Sequence, residues 1–170
     1  YTLSTRSPSL PLITLDAWTV IRGRDGERVV TLKDFYTGQG KVGLKEDEFV
    51  KEFTVRKLHE GTVTGFAKLG RRKALAISRL NVSAALRLDE EGRIDFARIA
   101  PGCIFSTPDR VETAENILIG RKPSEELWRE AGKAVSEEMI RRTGIRWSTE
   151  YKQPAVEAIV EDALTECCGS

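Results

Sequence analysis

Four cationic side chains within six positions are the residues of this chain best suited to bind a ligand. Lysine or arginine occupies positions 68, 71, 72 and 73, and Gly70 interrupts the run. Cations attract anions most strongly where water is excluded, so this basic cluster could hold a phosphate, a carboxylate or the acidic surface of a partner. The alternative is a solvated patch that keeps the end of a strand soluble. The residues taken by themselves favour that second interpretation.

A strand follows the basic cluster. Apolar and polar residues alternate from Arg79 to Leu88. Successive side chains of a strand point to opposite faces, so this alternation predicts a strand with one buried face. The predicted buried face consists of Leu80, Val82, Ala84, Leu86 and Leu88.

Other catalytic signatures are missing from the sequence. His59, the only histidine, lies in a predicted linker and is interpreted as a surface residue. No phosphate-binding glycine loop follows a strand, and residues 38–40 are interpreted as a mobile turn. Cys103, Cys167 and Cys168 lack metal-ligand spacing, so we expect no iron–sulfur cluster on this chain. The carboxylates form no convincing acid–base pair, and we predict neither catalytic residues nor a metal site.

Size and charge narrow the class of protein. The chain has 170 residues and a net charge of +1, which argues against a nucleic-acid-binding surface. No apolar run is long enough to cross a bilayer, and an odd number of cysteines indicates free thiols. We therefore predict a cytoplasmic chain. Because it begins at Tyr1 and its single methionine is Met139, we expect a fragment, a processed chain or half of a nicked subunit.

Strands are predicted first along the chain and helices later. Strands are expected at residues 12–21, 28–32 and 49–55, with a hairpin turn at Asp25-Gly26 and a flexible loop at residues 37–43. Further predictions are a strand at residues 93–105, helices starting at Thr107-Pro108 and Ser124, and a last helix starting near Gln153. Hairpins followed by helices indicate an α+β architecture.

Three segments carry motifs in a characteristic order. They are residues 65–88, with Phe66, Lys68, Arg71-Arg72 and Ile77; residues 99–120, with Thr107-Pro108 and Arg110; and residues 146–164, with Ser148, Glu150 and Tyr151. Together they resemble the C-terminal half of the FAD-binding (medium) subunit of molybdenum hydroxylases, the family of xanthine dehydrogenase and aerobic carbon monoxide dehydrogenase.

This resemblance implies an architecture and a function. It implies small antiparallel sheets with helices packed on one side, residues 1–57 ending an FAD-binding domain and residues 58–170 forming a C-terminal flavoprotein domain. Such a chain would help to close a flavin pocket and dock to iron–sulfur and molybdenum subunits, while electrons pass from [2Fe-2S] clusters to FAD and an acceptor. The rival hypothesis is a non-catalytic α+β interaction or scaffold module.

The resemblance also assigns site residues. It implies that Lys68 and Val50 contact FAD, whereas Arg110, Arg146 and Tyr151 are interpreted as packing and capping groups. Relatives bind FAD mainly through glycine-rich segments that would precede this chain. An N-terminal FAD-binding portion is therefore an expected partner, molybdopterin and the [2Fe-2S] clusters belong to other subunits, and the isolated chain is expected to be inactive.

The sequence departs from the family pattern at two places. Ser7-Pro8 is present, but the acidic residue expected shortly after it is missing. Ala76 stands where relatives have an aspartate. Both departures indicate that most of the cofactor site comes from polypeptide outside this sequence.

Overall fold

The computed structural model describes residues 9–70 and 78–169. Within these ranges, helices and short antiparallel sheets alternate along the chain, and the α+β architecture predicted from the sequence is confirmed. In chain order the elements are α1 (Ser9–Thr14), β1 (Trp18–Gly23), β2 (Gly26–Thr31), α2 (Leu32–Phe35), β3 (Tyr36–Gly38), β4 (Lys41–Val42), β5 (Phe49–Thr54), β6 (Val63–Gly70), β7 (Ser78–Leu88), β8 (Ile94–Gly102), α3 (Glu112–Leu118), α4 (Glu125–Thr143) and α5 (Thr149–Cys168).

The first sheet has the strand order β2-β1-β5, and both pairings are antiparallel. Its tight turn ends at Gly26, whose φ of +127° is a conformation that glycine adopts without steric cost. Thr31 then caps α2 by accepting a hydrogen bond of 3.1 Å from the backbone N–H of Asp34. One face of this sheet packs on an apolar cluster made mainly of Leu10, Ile13, Ala17, Ile21, Leu32, Phe35 and Tyr36.

The second sheet has the order β6-β7-β8, and its central strand is buried on both faces. Leu80, Val82, Ala84 and Leu86 of β7 point into the main core, as the alternation predicted, but Leu88, predicted for the same face, is 43% exposed at the end of the strand. Helices α3, α4 and α5 cover that face and contribute Leu118, Leu127, Ala131, Val135, Val160 and Leu164, among others. Burial of these side chains is the main source of stability for this part of the chain.

Helix α1 covers the other face of the second sheet. Thr14 donates its hydroxyl to the carbonyl of Ser83 at 3.4 Å, and Arg98 donates to the carbonyl of Thr14 at 2.9 Å. Ala100 of β8 packs in the same apolar cluster as Leu10. Helix α1 therefore forms a layer on the second sheet.

Helix α4 follows the sequence prediction closely. Ser124 caps it by accepting a 3.1 Å hydrogen bond from the N–H of Leu127. Its closest approach to α5 is at Gly132, where an added Cβ would lie 3.0 Å from the carbonyl oxygen of Glu157. Ser136, one turn later, donates to the Glu157 carboxylate at 2.6 Å. The buried positions of α4 include the predicted Leu127, Ala131, Val135 and Met139.

Two predictions in the N-terminal third are wrong. The strand predicted at residues 12–21 starts only at Trp18, because residues up to Thr14 form α1. A short apolar run fits a helix and a strand equally, and only packing on the second sheet decides between them. Between the two elements, Asp16 has a φ of +47°, which reverses the chain direction. The predicted loop at residues 37–43 contains the small β3–β4 hairpin.

Two predicted helix starts also differ from the structure. The helix expected at Thr107-Pro108 begins at Glu112, because the N–H of Val111 bonds to the carbonyl of Ile99 at 2.9 Å and keeps this segment against β8. The last helix begins at Thr149 instead of near Gln153. Pro154 removes one hydrogen bond to the first turn, and burial of the rest of α5 compensates for that loss.

Residues 55–62 connect the two sheets and include His59. The division into domains between residues 57 and 58 stays a prediction. In the described part of the chain, none of the helices has the length and apolarity required to cross a bilayer.

Candidate functional site

Lys68 lies on the edge strand β6 with its side chain exposed. It pairs with Asn81 of β7, and Asn81 pairs with Gly102 of β8. Directly opposite residues of antiparallel strands share a face, so these three residues form one row across the sheet. An added Cβ on Gly102 would lie 2.5 Å from the Cδ1 atom of Leu10, which places the row on the face covered by α1.

The amide of Asn81 is the unusual group in this row. Asn81 is 1% exposed, and neither its amide nitrogen nor its amide oxygen has a hydrogen-bond partner among the described residues. Leaving a buried polar group unsatisfied costs about 1–3 kcal/mol, so such a group calls for an explanation. Gly102 makes room for this amide, since a Cβ there would come within 2.1 Å of the Asn81 oxygen. Sequence reasoning placed Asn81 on the solvent face of β7 and missed its burial.

A cavity of about 350 Å³ opens between α1 and β6 on the same face as Lys68. It is lined by Pro11, Thr14, Leu15, Thr64, Gly65, Phe66, Ser83 and Glu166. The Glu166 carboxylate accepts a 2.8 Å hydrogen bond from the backbone N–H of Phe66, which ties the end of α5 to the exposed edge of β6. This volume is within the range of small-molecule sites.

Gly65, next to Phe66, allows β6 to lie in close contact with α5. An added Cβ at Gly65 would lie 2.1 Å from the carbonyl oxygen of Ala163 and 3.0 Å from the Cys167 sulfur. Only glycine permits so close an approach of strand and helix. Burial raises the pKa of the Cys167 thiol to about 12, so this cysteine stays protonated.

Val50, the second predicted flavin contact, lies on a different sheet. It lies on β5, pairs with Ile21 of β1 and is half-buried against the apolar cluster around Leu10. Leu10 therefore contacts the cluster that holds Val50 and also covers Gly102 in the Lys68 row. The structure places the two predicted site residues on different sheets.

Arg110 belongs to a structural ion-pair network. It donates two hydrogen bonds to the Glu115 carboxylate, at 2.9 and 2.8 Å, and one to Asp16 at 2.8 Å. Glu115 in turn accepts from the backbone N–H of Ile99 at 2.9 Å. The hydrogen bonds to Glu115 raise the pKa of the Arg110 guanidinium well above its ordinary value. The sequence-based interpretation of Arg110 as a packing group agrees with these contacts.

Several predicted features lie outside the described residues. These are Ser7-Pro8 and the part of the basic cluster formed by Arg71, Arg72 and Lys73, together with Ala76. Among the residues that are described, no group of three or more histidine, cysteine, aspartate or glutamate side chains could hold a metal ion.

Residues 66–167 match the family model described as the CO dehydrogenase flavoprotein C-terminal domain. This match covers more than half of the chain. The chain belongs to the CO dehydrogenase flavoprotein C-terminal domain family. Lys68, Asn81 and Gly102 all lie within the matched region, whereas Val50 precedes it.

The chain is similar to two curated bacterial FAD subunits. The nicotinate dehydrogenase FAD-subunit of Eubacterium barkeri is 28% identical over 158 residues, covering 91% of this chain and 53% of the relative. The xanthine dehydrogenase FAD-binding subunit of Escherichia coli O157:H7 is 28% identical over 159 residues, covering 92% of this chain and 53% of the relative. The chain thus spans about half the length of the relatives that it matches.

Solved structures show the same fold. Quinoline 2-oxidoreductase from Pseudomonas putida 86 superposes with a TM-score of 0.86 at 21% identity, covering 99% of this chain and 57% of that one. Carbon monoxide dehydrogenase from Hydrogenophaga pseudoflava gives a TM-score of 0.81 at 23% identity, covering 94% and 55%. At these identities the likeness concerns the fold alone.

Proposed function

We propose that this chain is part of the FAD subunit of a molybdenum-containing hydroxylase or dehydrogenase and helps to close its flavin pocket. The family match and the names of the curated relatives support this proposal. In the complete enzyme, electrons would pass from [2Fe-2S] clusters to FAD and then to an acceptor. FAD, when bound, supplies the redox chemistry, and the protein supplies placement and electrostatics.

The residues of the α1 face fit a flavin chemically. The observation that carries the proposal is the row in which an exposed lysine lies opposite a buried, unpartnered amide. A flavin ring offers carbonyl oxygens and an imide N–H along one edge, and it gains negative charge on reduction. Lys68 can donate to an anionic edge and neutralise it, while the Asn81 amide carries both a donor and an acceptor. The cavity beside Phe66 adds apolar wall on the same face.

Each predicted contact has a distinct role in this proposal. The Lys68 ammonium would balance negative charge on the cofactor. Val50 would pack against the flavin ring from the first sheet. No catalytic proton transfer is assigned to either residue, so the chain acts by binding and by electrostatics.

The proposal requires partner polypeptides. An N-terminal FAD-binding portion would supply the pyrophosphate site and would cover the outer face of the first sheet, where Val29 is 63% and Phe49 58% exposed. Iron–sulfur and molybdenum subunits would hold the [2Fe-2S] clusters and molybdopterin. We further propose that the complex is cytoplasmic and that the isolated chain is inactive.

The test of this function uses the flavin spectrum. The isolated 170-residue chain is expected to be nearly colourless in the flavin bands, and joining it to the N-terminal portion is expected to restore the yellow colour. Lys68→Ala in the complete subunit should lower FAD content or shift the flavin reduction potential. Lys57→Ala, which changes an exposed lysine of the connection between the sheets, is the matched control.

Two outcomes would contradict the proposal. If the reunited protein binds no flavin, the scaffold hypothesis replaces the enzyme hypothesis. If Lys68→Ala leaves both flavin content and potential at the values of the Lys57→Ala control, Lys68 belongs to the solvated surface instead of the cofactor site.

A further inference from the structure

The connection between α4 and α5 exposes an unusual group of large side chains. Ile145 is 84% exposed, Trp147 97% and Tyr151 53%, all within seven residues. Exposed apolar residues are ordinary when scattered, but a local group of them marks a contact surface. Tyr151, interpreted from the sequence as a packing or capping group, is more than half exposed. We use the name α4–α5 connection for residues 144–151, which are the loop between the helices and the first three residues of α5.

A basic cavity of about 250 Å³ adjoins this connection. It is lined by Gln39, Cys103, Ile104, Phe105, Ser106, Thr107, Arg142, Thr143, Arg146 and Lys152. Three of these side chains are cations, and none of the described lining residues carries a carboxylate. The cavity, called here the basic cavity, therefore presents positive charge and hydroxyl groups to solvent.

The cations of the basic cavity differ in how much charge is already balanced. Arg142 donates to the carboxylates of Glu138 at 2.5 Å and Asp109 at 2.8 Å, so its positive charge is already balanced by two ion pairs. Arg146 donates from Nε to the carbonyl of Thr143 at 3.1 Å. Lys152 reaches the carbonyl of Cys103 at 3.4 Å. Among the described residues, no carboxylate forms an ion pair with the latter two cations.

The exposed large side chains and the basic cavity are connected through Arg146 and Lys152, which line the cavity. Arg146 lies between Ile145 and Trp147 in the chain, and Lys152 directly follows Tyr151. Tryptophan, tyrosine and arginine are the residue types that most often dominate the energy of protein interfaces. Cations at the rim of such a surface select partners of opposite charge.

We propose that the α4–α5 connection and the basic cavity dock an acidic segment of a partner subunit of the complex. Trp147 would be the buried anchor, and an aspartate or glutamate of the partner would enter the basic cavity beside Arg146 and Lys152. This inference rests on the proposed function, because it assigns the docking role to one surface. Its occupant is recognised by charge complementarity, since the two cations lack carboxylate partners on the described part of this chain.

The experiment measures assembly of the complete flavoprotein subunit with its iron–sulfur and molybdenum subunits. Trp147→Ala is expected to weaken the complex by about tenfold or more in co-purification and sedimentation. Lys152→Glu should weaken it as well, and more strongly at low salt. Ile119→Ala and Lys122→Glu are the matched controls, because they change an exposed aliphatic and an exposed cationic side chain near the end of α3.

Folding and flavin content are measured on the same samples. Trp147 makes so little contact with the chain that its variant should keep the wild-type melting temperature and FAD content. Weakened assembly with both preserved supports the inference. Unchanged assembly of Trp147→Ala and Lys152→Glu overturns it while leaving the proposed function intact. If the wild-type subunit binds neither flavin nor partner subunits, the proposed function fails, and this inference fails with it.

Discussion

The backbone N–H of Phe66 donates a 2.8 Å hydrogen bond to the carboxylate of Glu166, and this contact joins the first half of the second sheet to the end of α5. Because β6 is an edge strand, its outward N–H groups have no strand partner on that side. Glu166 therefore substitutes for a strand at the position two residues before Lys68.

Glu166→Gln should loosen this edge. Replacing the charged acceptor by a neutral amide oxygen weakens this hydrogen bond and is expected to speed hydrogen exchange at the Phe66 amide by about fivefold, with little change in global stability. Residue-resolved hydrogen exchange followed by NMR measures this effect. Asp162→Asn, one turn earlier on α5 and exposed, is the control and should leave the Phe66 amide unchanged. Equal exchange rates in the two variants would show that the bond contributes nothing in solution.

Asn81→Leu separates a stability role from a ligand role. A leucine of similar shape removes an unsatisfied buried amide, so the unfolding free energy of the chain should stay the same or rise by about 1 kcal/mol. FAD retention by the complete subunit should fall, because a donor and an acceptor facing the α1 layer are lost. Urea unfolding and flavin absorbance are the two measurements.

Asn116→Leu, the same change at an exposed position of α3, is the control for Asn81→Leu. A loss of more than about 1 kcal/mol in Asn81→Leu would contradict the prediction, because it would mean that the amide is satisfied by water.

Acid should weaken the C-terminal end of α4. Glu138 is buried, and hydrogen bonds first from Arg141 and then from Arg142, opposed by desolvation, lower its pKa from 4.5 to about 2. A carboxylate with a depressed folded-state pKa stabilises the fold above pH 4.5 and loses that contribution as the pH falls towards 2. Glu138→Gln should therefore be less stable at pH 7 and should lose less stability on acidification.

Urea midpoints of wild type and Glu138→Gln between about pH 7 and pH 2.5 test this assignment. Glu137→Gln, at the exposed neighbouring position, should follow the wild-type curve. Parallel curves for Glu138→Gln and wild type would refute the linkage.

Local sequence patterns predicted an element correctly where neighbouring residues alone determine it. The alternation after Leu80 predicted β7, and Ser124 marked the start of α4 because its hydroxyl satisfies a free N–H. The Thr107-Pro108 signal was equally strong, yet the backbone bond between Val111 and Ile99 overrides it. Tertiary contacts of this kind have no local signature.

The candidate site depended on contacts that no local pattern contains. The row of Lys68, Asn81 and Gly102 requires the register of three strands, which the sequence does not specify residue by residue. The alternation predicted Asn81 on a solvent-facing side because no helix was predicted over that face, whereas α1 covers it in the structure. Tryptophan is usually at least partly buried, so neither composition nor periodicity predicted that Trp147 is exposed.

Helix α1 has a consequence for how the two halves of this chain depend on each other. Leu10 sits above Gly102, and Ala100 packs in the cluster that α1 shares with the first sheet. A protein trimmed to residues 58–170 would therefore expose the apolar surface of β7 and β8 that α1 covers, and it would tend to aggregate. Conversely, cleavage by a protease within residues 55–62 would release no fragment, because the two pieces would stay bound to each other through the contacts of α1.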